Sequence, residues 1–353
     1  MRFLFRADAS PAMGTGHIMR CLALAEGLRD LGHECHFLLA EGISSIEQRV
    51  AAEGVVLSHI GDPTQDAAAE ATCRYAASID ARGIIVDGYQ FSARWREHLR
   101  GIGRPVLSFY DYAPEGALAA DIVLCPSLDV AEPAIRQATA GALWLCGPAY
   151  VLLRRDLRRA LAEPPLPWSE RRSLLVTFGG SDPMGLTRPV VLGLAHPPLP
   201  GTRIEVVIGG GVRDREGLAC ELSRLCPGIV VHVNAPNLGT LMRQAGLAVS
   251  AAGTTVGELA AFGVPSAIVV VADNQVEGAR QAAAKGWCRM LDERVSPSAR
   301  TVIDLARQLW ADVKGRGAMA LSASSAIDGH GVTRVCDALM GTTARAGTVL
   351  AAS

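Results

Sequence analysis

The chain has 353 residues, 49% hydrophobic, 20% charged and 5% aromatic, with 37 Gly and 19 Pro. That is too much apolar material for a disordered chain and more length than one compact core usually holds, so two α/β domains are expected. A formal charge of -1 supplies no field for nucleic acid or an acidic membrane surface.

The nine cysteines include no CxxC pair, which leaves a zinc or redox motif without support. Their odd number in a long chain fits reduced thiols and a cytoplasmic protein. The opening MRFLFRADAS reaches Asp8 before any long apolar run and does not read as a signal peptide. The stretch from Leu247 to Ala272 is the most hydrophobic, but Gly253, Glu258, Gly263 and Pro265 break it into strand, turn, helix and strand. Stable membrane insertion is not expected.

In chain order, Phe3–Phe5 reads as a strand, and the loop from Ala7 to Gly16 leads into a helix over about His17–Leu31. Cys35–Leu39, Gly83–Val86, Val106–Tyr110 and Asp121–Leu124 read as further strands. Strands separated by helices in this rhythm specify a parallel sheet covered on both faces. The segment 163–168, EPPLPW, is the best linker, after which the pattern restarts. Ser173–Phe178 is a strand, Gly179–Pro183 a loop and about Met184–Leu194 a helix; strands at Ile204–Ile208, Ile229–Val233, Leu247–Ser250 and Ala267–Val271 follow. The fold class expected is therefore α/β, with two Rossmann-like domains facing across a cleft. The expected limits are residues 1–160 for the first domain and 172–335 for the second. The last helix is expected to pack back on the first domain, and 341–353 to form a disordered tail.

Open parallel sheets bind ligands beyond the carboxyl ends of their strands, and the residues suited to chemistry fall there. His17 follows Gly14-Thr15-Gly16 at the start of the first long helix, where unpaired N–H groups favour an anion and the helix dipole favours a neutral imidazole. It reads as a base; the plainer role is closing the loop. Asp87 and Tyr89 follow one strand and Asp111 the next, so either carboxylate could orient His17 or take its proton, or simply cap a turn. Asp8 shares that ambiguity.

In the second half, Gly179-Gly180-Ser181-Asp182 forms a donor-rich loop after a strand, suited to phosphate. Thr254 and Thr255, after Gly253, could cap the next helix while donating to phosphate; Glu258 suits the dipole or the hydroxyls of a ribose. Asn274 and Gln275 follow the next strand and could reach the same ligand. No Walker A loop, complete dinucleotide fingerprint, metal-ligand cluster or GxSxG elbow occurs, so no metal and no cofactor are expected.

Three segments carry a resemblance: RADAS…GTGHIMRCLALA, the FGGSDPMG loop, and SAAGTTVGELAAFGVPSAIVVVADNQ. They resemble nucleotide-sugar enzymes of the glycosyltransferase-B fold, the C-terminal half being similar to the UDP-binding half of MurG-type N-acetylglucosaminyltransferases. The opening motif, VDGY at Val86–Tyr89, LLRRDL at Leu152–Leu157 and DGHGVTRV near the end resemble, over about Arg2 to Val335, the hydrolases of pseudaminic-acid biosynthesis. Those enzymes remove UDP from UDP-2,4-diacetamido-2,4,6-trideoxy-β-L-altropyranose.

The resemblance implies that the nucleotide lies against the second domain and the sugar faces the first. It also implies that water attacks the anomeric carbon with inversion and that UDP leaves without a metal. It makes His17 the base, Tyr89 a sugar contact and Glu258 the ribose contact. Gly14, Gly16, Arg154, Gly180, Ser181, Gly253, Thr254, Thr255, Asn274 and Gln275 complete the expected substrate set. A related diacetamido sugar stays open at the DGYQ segment, and the resemblance does not explain the extension beyond Met340. A transferase using an acceptor other than water is the alternative, and a non-catalytic nucleotide-sugar sensor the third. The absence of a basic, hydrophobic patch for a lipid-linked acceptor favours the hydrolase.

Overall fold

In the computed structural model, residues 1–10, 13–60, 65–111, 118–129 and 133–351 are described, without the side chains of 65 and 344–351. Residues 11 and 12 of the first loop and the last two of the tail lie outside this description. The chain divides into two compact units, one of Met1–Ser10, His17–Arg154 and His330–Ser353, the other of Pro11–Gly16 and Arg155–Gly329.

The first unit holds β1 (Arg2–Ala7), β2 (Glu34–Leu39), β3 (Val56–His59), β4 (Ala81–Asp87), β5 (Val106–Phe109), β6 (Ile122–Cys125) and β7 (Leu143–Cys146). All pair in parallel, in the order β3-β2-β1-β4-β5-β6-β7. The alternation of β1 explains its two-sided burial. Phe3 and Phe5 pack with Ile18, Leu22 and Leu28 of the helix Gly16–Asp30, and with Val332, Val335 and Leu339 of the C-terminal helix. Leu4 points the other way, into a cluster with Ile84, Val86, Trp95 and Leu99.

The second unit holds β8 (Ser173–Thr177), β9 (Arg203–Ile208), β10 (Ile229–Val233), β11 (Ala245–Ala251), β12 (Ser266–Val270) and β13 (Cys288–Asp292). These too are parallel, in the order β10-β9-β8-β11-β12-β13. Each unit is thus Rossmann-like, with its strand order reversing once, at β1/β4 in the first and at β8/β11 in the second.

Three strands escape the apolar pattern, β3, β7 and β13, and each is a sheet edge. One side of an edge strand is open to solvent, and their residues are mostly exposed or half-buried, so no continuous apolar run marks them. The chain passes into the second unit at Arg154–Arg155, before the proline-rich segment rather than within it. The reason is packing: the helix Arg155–Ala162 lies so close to the helix Leu238–Gln244 that a Cβ at Gly239 would stand 2.6 Å from that of Ala160. Beyond Met340 the chain does not fray at once: residues 341–351 continue the helix Gly331–Ala351 of the first unit.

Candidate functional site

At the carboxyl edge of the first sheet, the helix Gly16–Asp30 follows β1, Asp87 ends β4 and Asp111 lies just beyond β5. Because β4 lies between β1 and β5, side chains from all three places meet at the point where strand order reverses. His17 Nδ1 lies 2.8 Å from Asp87 Oδ1. Arg20, one turn along the helix, donates through Nε to Asp87 Oδ2 (2.5 Å), through Nη2 to Asp87 Oδ1 (2.6 Å) and through Nη1 to Asp111 Oδ2 (2.5 Å). The Tyr89 hydroxyl donates to the other oxygen of Asp111 at 2.9 Å, and its ring meets that of His17 edge-on with centroids 4.7 Å apart. His17, Arg20 and Asp87 are buried, whereas Tyr89 is 43% exposed.

The charge states follow from this geometry. Burial alone raises the Asp87 carboxyl, but the charges and hydrogen bonds of Arg20 and His17 overcome it and hold the group well below the usual carboxylate range. Burial also opposes the Arg20 charge, and Asp111 and Asp87 reverse that, holding the guanidinium well above its ordinary value. The Cys21 thiol, whose Sγ is 3.9 Å from Asp87 Oδ2, is driven well upward by burial and by that carboxylate. Asp87 is therefore an ionised acceptor, and His17 meets it as an Nδ1–H donor. In the neutral ring this leaves the lone pair on Nε2, the arrangement of a base oriented by a carboxylate.

Of the residues expected for chemistry in this half, His17, Asp87, Tyr89 and Asp111 come together. Asp8 does not join them. Its Oδ1 accepts from Arg6 (2.7 Å) and from the Ala40 and Glu41 amides, and its Oδ2 accepts from Gln90 (2.7 Å). That is a structural carboxylate, held below its ordinary value by Arg6 and the two amides against the opposing effect of burial. Arg154 is buried at the point where the chain leaves the first unit.

Arg20 is the residue that the sequence reading missed. Its place three residues after His17, on one helix face, does not by itself mark it, because the two carboxylates it meets come from 67 and 91 residues away along the chain. Arg96 is another: buried on the helix Ala93–Arg100, it donates to the Ser108 hydroxyl, to Phe91 O (3.1 Å) and to Gly88 O (3.2 Å). It thereby braces the loop carrying Tyr89, and burial pulls its guanidinium down to about 10.

In the second unit, Gly180 and Ser181 follow β8 while Gly253, Thr254 and Thr255 follow β11, so both loops flank the reversal point of that sheet. Asp182, at φ 42°, accepts from the Leu186 and Thr187 amides, each at 2.9 Å. The helix consequently begins at Thr187 instead of Met184, and those two amides are already engaged. The same loop is tied to its neighbour, the Gly211 amide donating to Gly180 O at 2.8 Å. A Cβ at Gly209 would come within 2.3 Å of Gly179 O. The helix Thr255–Ala261 starts with Thr254 in the αR region and without a side-chain cap, which corrects the capping expected of the threonines. A hydroxyl caps best from an extended backbone, and Thr254 is already helical. Glu258 is buried in its first turn. Asn274 and Gln275 lie in the turn after β12, where Gln275 Oε1 accepts from the Val271 amide at 3.0 Å. Gly14 and Gly16 group with this unit, Gly14 at φ 82°.

Among the described residues, no group of three or more His, Cys, Asp or Glu side chains could hold a metal ion. Nor is any helix among them long and apolar enough to cross a membrane.

Comparison with known proteins bears chiefly on the second unit. Residues 174–314 match the family described as the glycosyltransferase family 28 C-terminal domain. An uncharacterized protein of Methanocaldococcus jannaschii is 23% identical over 283 residues, 78% of this chain; the chain spans only 57% of that relative's length. Among solved structures, MurG of Acinetobacter baumannii superposes with a TM-score of 0.66 at 18% identity, covering 96% of this chain and 99% of its own. The spinosyn rhamnosyltransferase SpnG complexed with thymidine diphosphate gives 0.61 at 17%, covering 96% and 100%. The fold of this chain is thus the pair of Rossmann-like domains of the glycosyltransferase-B type.

Proposed function

We propose that this protein hydrolyses a UDP-linked 2,4-diacetamido-2,4,6-trideoxyhexose, the β-L-altropyranose in particular, to the free sugar and UDP, in the cytoplasmic biosynthesis of pseudaminic acid. The observation that carries the reading is the His17–Asp87 pair, which leaves the Nε2 lone pair of a buried histidine to act as a base. In the proposed step, Nε2 takes a proton from water as the water oxygen bonds to the anomeric carbon. The bond from that carbon to the phosphate oxygen breaks with inversion, its electron pair leaving on UDP. A positioned base of this kind contributes about a hundredfold to ten-thousandfold. A diphosphate is a good leaving group, so N–H donors can stand in for a strong acid or a metal.

We assign UDP to the second domain, at Gly180, Ser181, Gly253, Thr254, Thr255, Asn274 and Gln275, with Glu258 on the ribose. The family match over 174–314 and the thymidine diphosphate in the SpnG structure support that assignment. Tyr89 is assigned to the sugar, and Gly14, Gly16 and Arg154 to the substrate as a whole. The same family match favours a second reading, transfer of the sugar to an acceptor other than water, as the name of the family suggests.

Proton and phosphorus NMR of the pure protein with the UDP-sugar, in EDTA and without acceptor, separates the two. Release of UDP with the reducing sugar appearing first as the inverted anomer supports hydrolysis. Binding without turnover supports transfer, and no binding refutes the sugar assignment. His17→Asn should keep UDP affinity and lose turnover. Glu258→Ala should raise KM with little change in kcat, because a ribose contact acts alike on ground and transition states.

A further inference from the structure

We propose that Arg20 is the positioning residue of this site: by bridging Asp87 and Asp111 it holds His17 in the tautomer whose lone pair is on Nε2. The geometry poses a choice at His17 Nδ1. Asp87 Oδ1, an acceptor, lies 2.8 Å away, and Arg20 Nη2, a donor, lies 3.3 Å away. A proton on Nδ1 satisfies the first contact and a lone pair there would satisfy the second, so the two neighbours call for opposite tautomers. Arg20 settles it by committing Nη2 to Asp87 Oδ1 at 2.6 Å and Nε to Oδ2 at 2.5 Å. Guanidinium and carboxylate thus meet at two points, and the carboxylate stays ionised to accept from Nδ1–H.

Nη1 then reaches Asp111 on the neighbouring strand, whose other oxygen holds the Tyr89 hydroxyl. The plane of the guanidinium is fixed from below by the Phe109 ring, 4.6 Å from its central carbon to the ring centroid. One side chain therefore sets the proton position on His17 and anchors the tyrosine that packs edge-on against it. The ionisable groups facing the pair are Arg20 and Cys21 from the helix, Asp87 and Tyr89 at the end of β4, Asp111 after β5, and Arg96, whose charge also acts on Asp87. A lysine keeps a positive charge beside Asp87, and so the ionised carboxylate and the tautomer, but a single ammonium cannot lie along both oxygens of Asp87 and still reach Asp111, so the anchor of Tyr89 is lost.

Without Arg20 the buried Asp87 loses the charge that opposes its desolvation and tends to take a proton. A protonated Asp87 donates to Nδ1, the ring proton moves to Nε2, and the base is lost.

The test is long-range proton–nitrogen NMR of the full chain labelled with 15N-histidine. It reads the tautomer directly and is independent of any substrate. The wild type should show His17 with a protonated Nδ1 and an unprotonated Nε2. Arg20→Met should show the opposite tautomer or a mixture, and Arg20→Lys the wild-type tautomer. A folded Arg20→Met protein that keeps the wild-type tautomer overturns the proposal. If Arg20→Met does not fold, Arg20→Gln replaces it, with the same two outcomes.

The kinetic arm rests on the hydrolase reading. In Arg20→Met, kcat should fall about a hundredfold or more at neutral pH, and the acid limb of the pH profile should move to higher pH. Arg20→Lys should recover the limb and part of the rate. A rate loss with an unmoved limb marks Arg20 as structural only and overturns the proposal. A wild-type enzyme that hydrolyses no UDP-sugar overturns the hydrolase reading instead, and the tautomer measurement still decides the role of Arg20.

Discussion

Replacing Asp87 by asparagine tests the chemistry of the site most directly, because it changes charge with almost no change in shape. Asp87 is buried and accepts one hydrogen bond from His17 and two from Arg20. Its two oxygens are both acceptors, and an amide has one. Whichever way the introduced amide turns, its NH2 group faces an Arg20 N–H, and one donor pair is left in conflict. Breaking a buried ion pair outright costs about 3–5 kcal/mol. Arg20 keeps Asp111 and one amide oxygen here, so the expected loss is at or below the bottom of that range, about 2–3 kcal/mol. At roughly 2–4 °C per kcal/mol for a domain of this size, the first domain should melt about 4–12 °C lower. The kinetic effect should be larger. In one orientation the amide donates to Nδ1 and moves the ring proton to Nε2; in the other the imidazolium formed during reaction has no carboxylate to stabilise it. Either route should cost about a hundredfold to ten-thousandfold in kcat. The assay is differential scanning calorimetry with single-turnover release of UDP at neutral pH. A variant that melts early yet turns over at the wild-type rate would refute the argument that Asp87 prepares His17 as a base.

Asp87 and Asp8 are both held below their ordinary values in the fold, so the stability they contribute is complete above the unfolded value near pH 4 and is lost as pH falls toward the folded values. Melting of the first domain should therefore be insensitive to these groups from pH 7 to about 5 and decline steeply below it, less so in Asp87→Asn; a flat profile from pH 6 to pH 3 would sink the claim. Asp182→Ala removes the acceptor of two helix-start amides and leaves a Cβ at positive φ, which should destabilise by about 1–2 kcal/mol in urea unfolding, with Asp182→Asn losing less. Gly209→Ala forces a Cβ toward the carbonyls of Gly179 and Gly180, at 2.3 and 2.4 Å, and neither backbone atom can yield cheaply. Calorimetric titration should show weaker UDP binding in Gly209→Ala, and unchanged affinity would remove that loop from the nucleotide site.

The legible parts of this molecule are those written in short-range pattern. The central strands are largely apolar because both faces of a parallel sheet are covered; Asp87 and Asp111 stand out by lying just past such runs, and His17 by standing at the start of the first long helix after Gly14-Thr15-Gly16. The edge strands β3, β7 and β13 do not stand out, since half-solvated residues dilute the same pattern. Arg20 is invisible for another reason. An arginine on a helix reads as a solvated charge unless something shows that two carboxylates face it, and those come from β4 and from beyond β5, 67 and 91 residues away along the chain. Only the strand order, with β4 between β1 and β5, brings them to one guanidinium. The unit boundary lies away from the proline cluster because prolines mark where a chain cannot be regular, whereas the boundary depends on what a helix packs against; Ala160 packs on Gly239.

The proposed division of labour between the domains also bears on the two functional readings. The family match begins at 174 and ends at 314, wholly inside the second unit, which the proposed reading assigns to the nucleotide. The fate of the sugar depends on what attacks the anomeric carbon, and on the proposed reading that is a property of the first unit. On that reading the chemistry lies in the buried cluster of His17, Asp87 and Arg20, with His17 as the base, Asp87 orienting it and Arg20 keeping the carboxylate charged. A base of this kind activates a hydroxyl whether it belongs to water or to an alcohol, so the cluster alone serves both reactions. The difference is one of access. A transferase must admit an acceptor to Nε2 and exclude water, whereas a hydrolase needs room for water only. The family match favours transfer, and release of UDP in the absence of any acceptor is the observation that would decide for water.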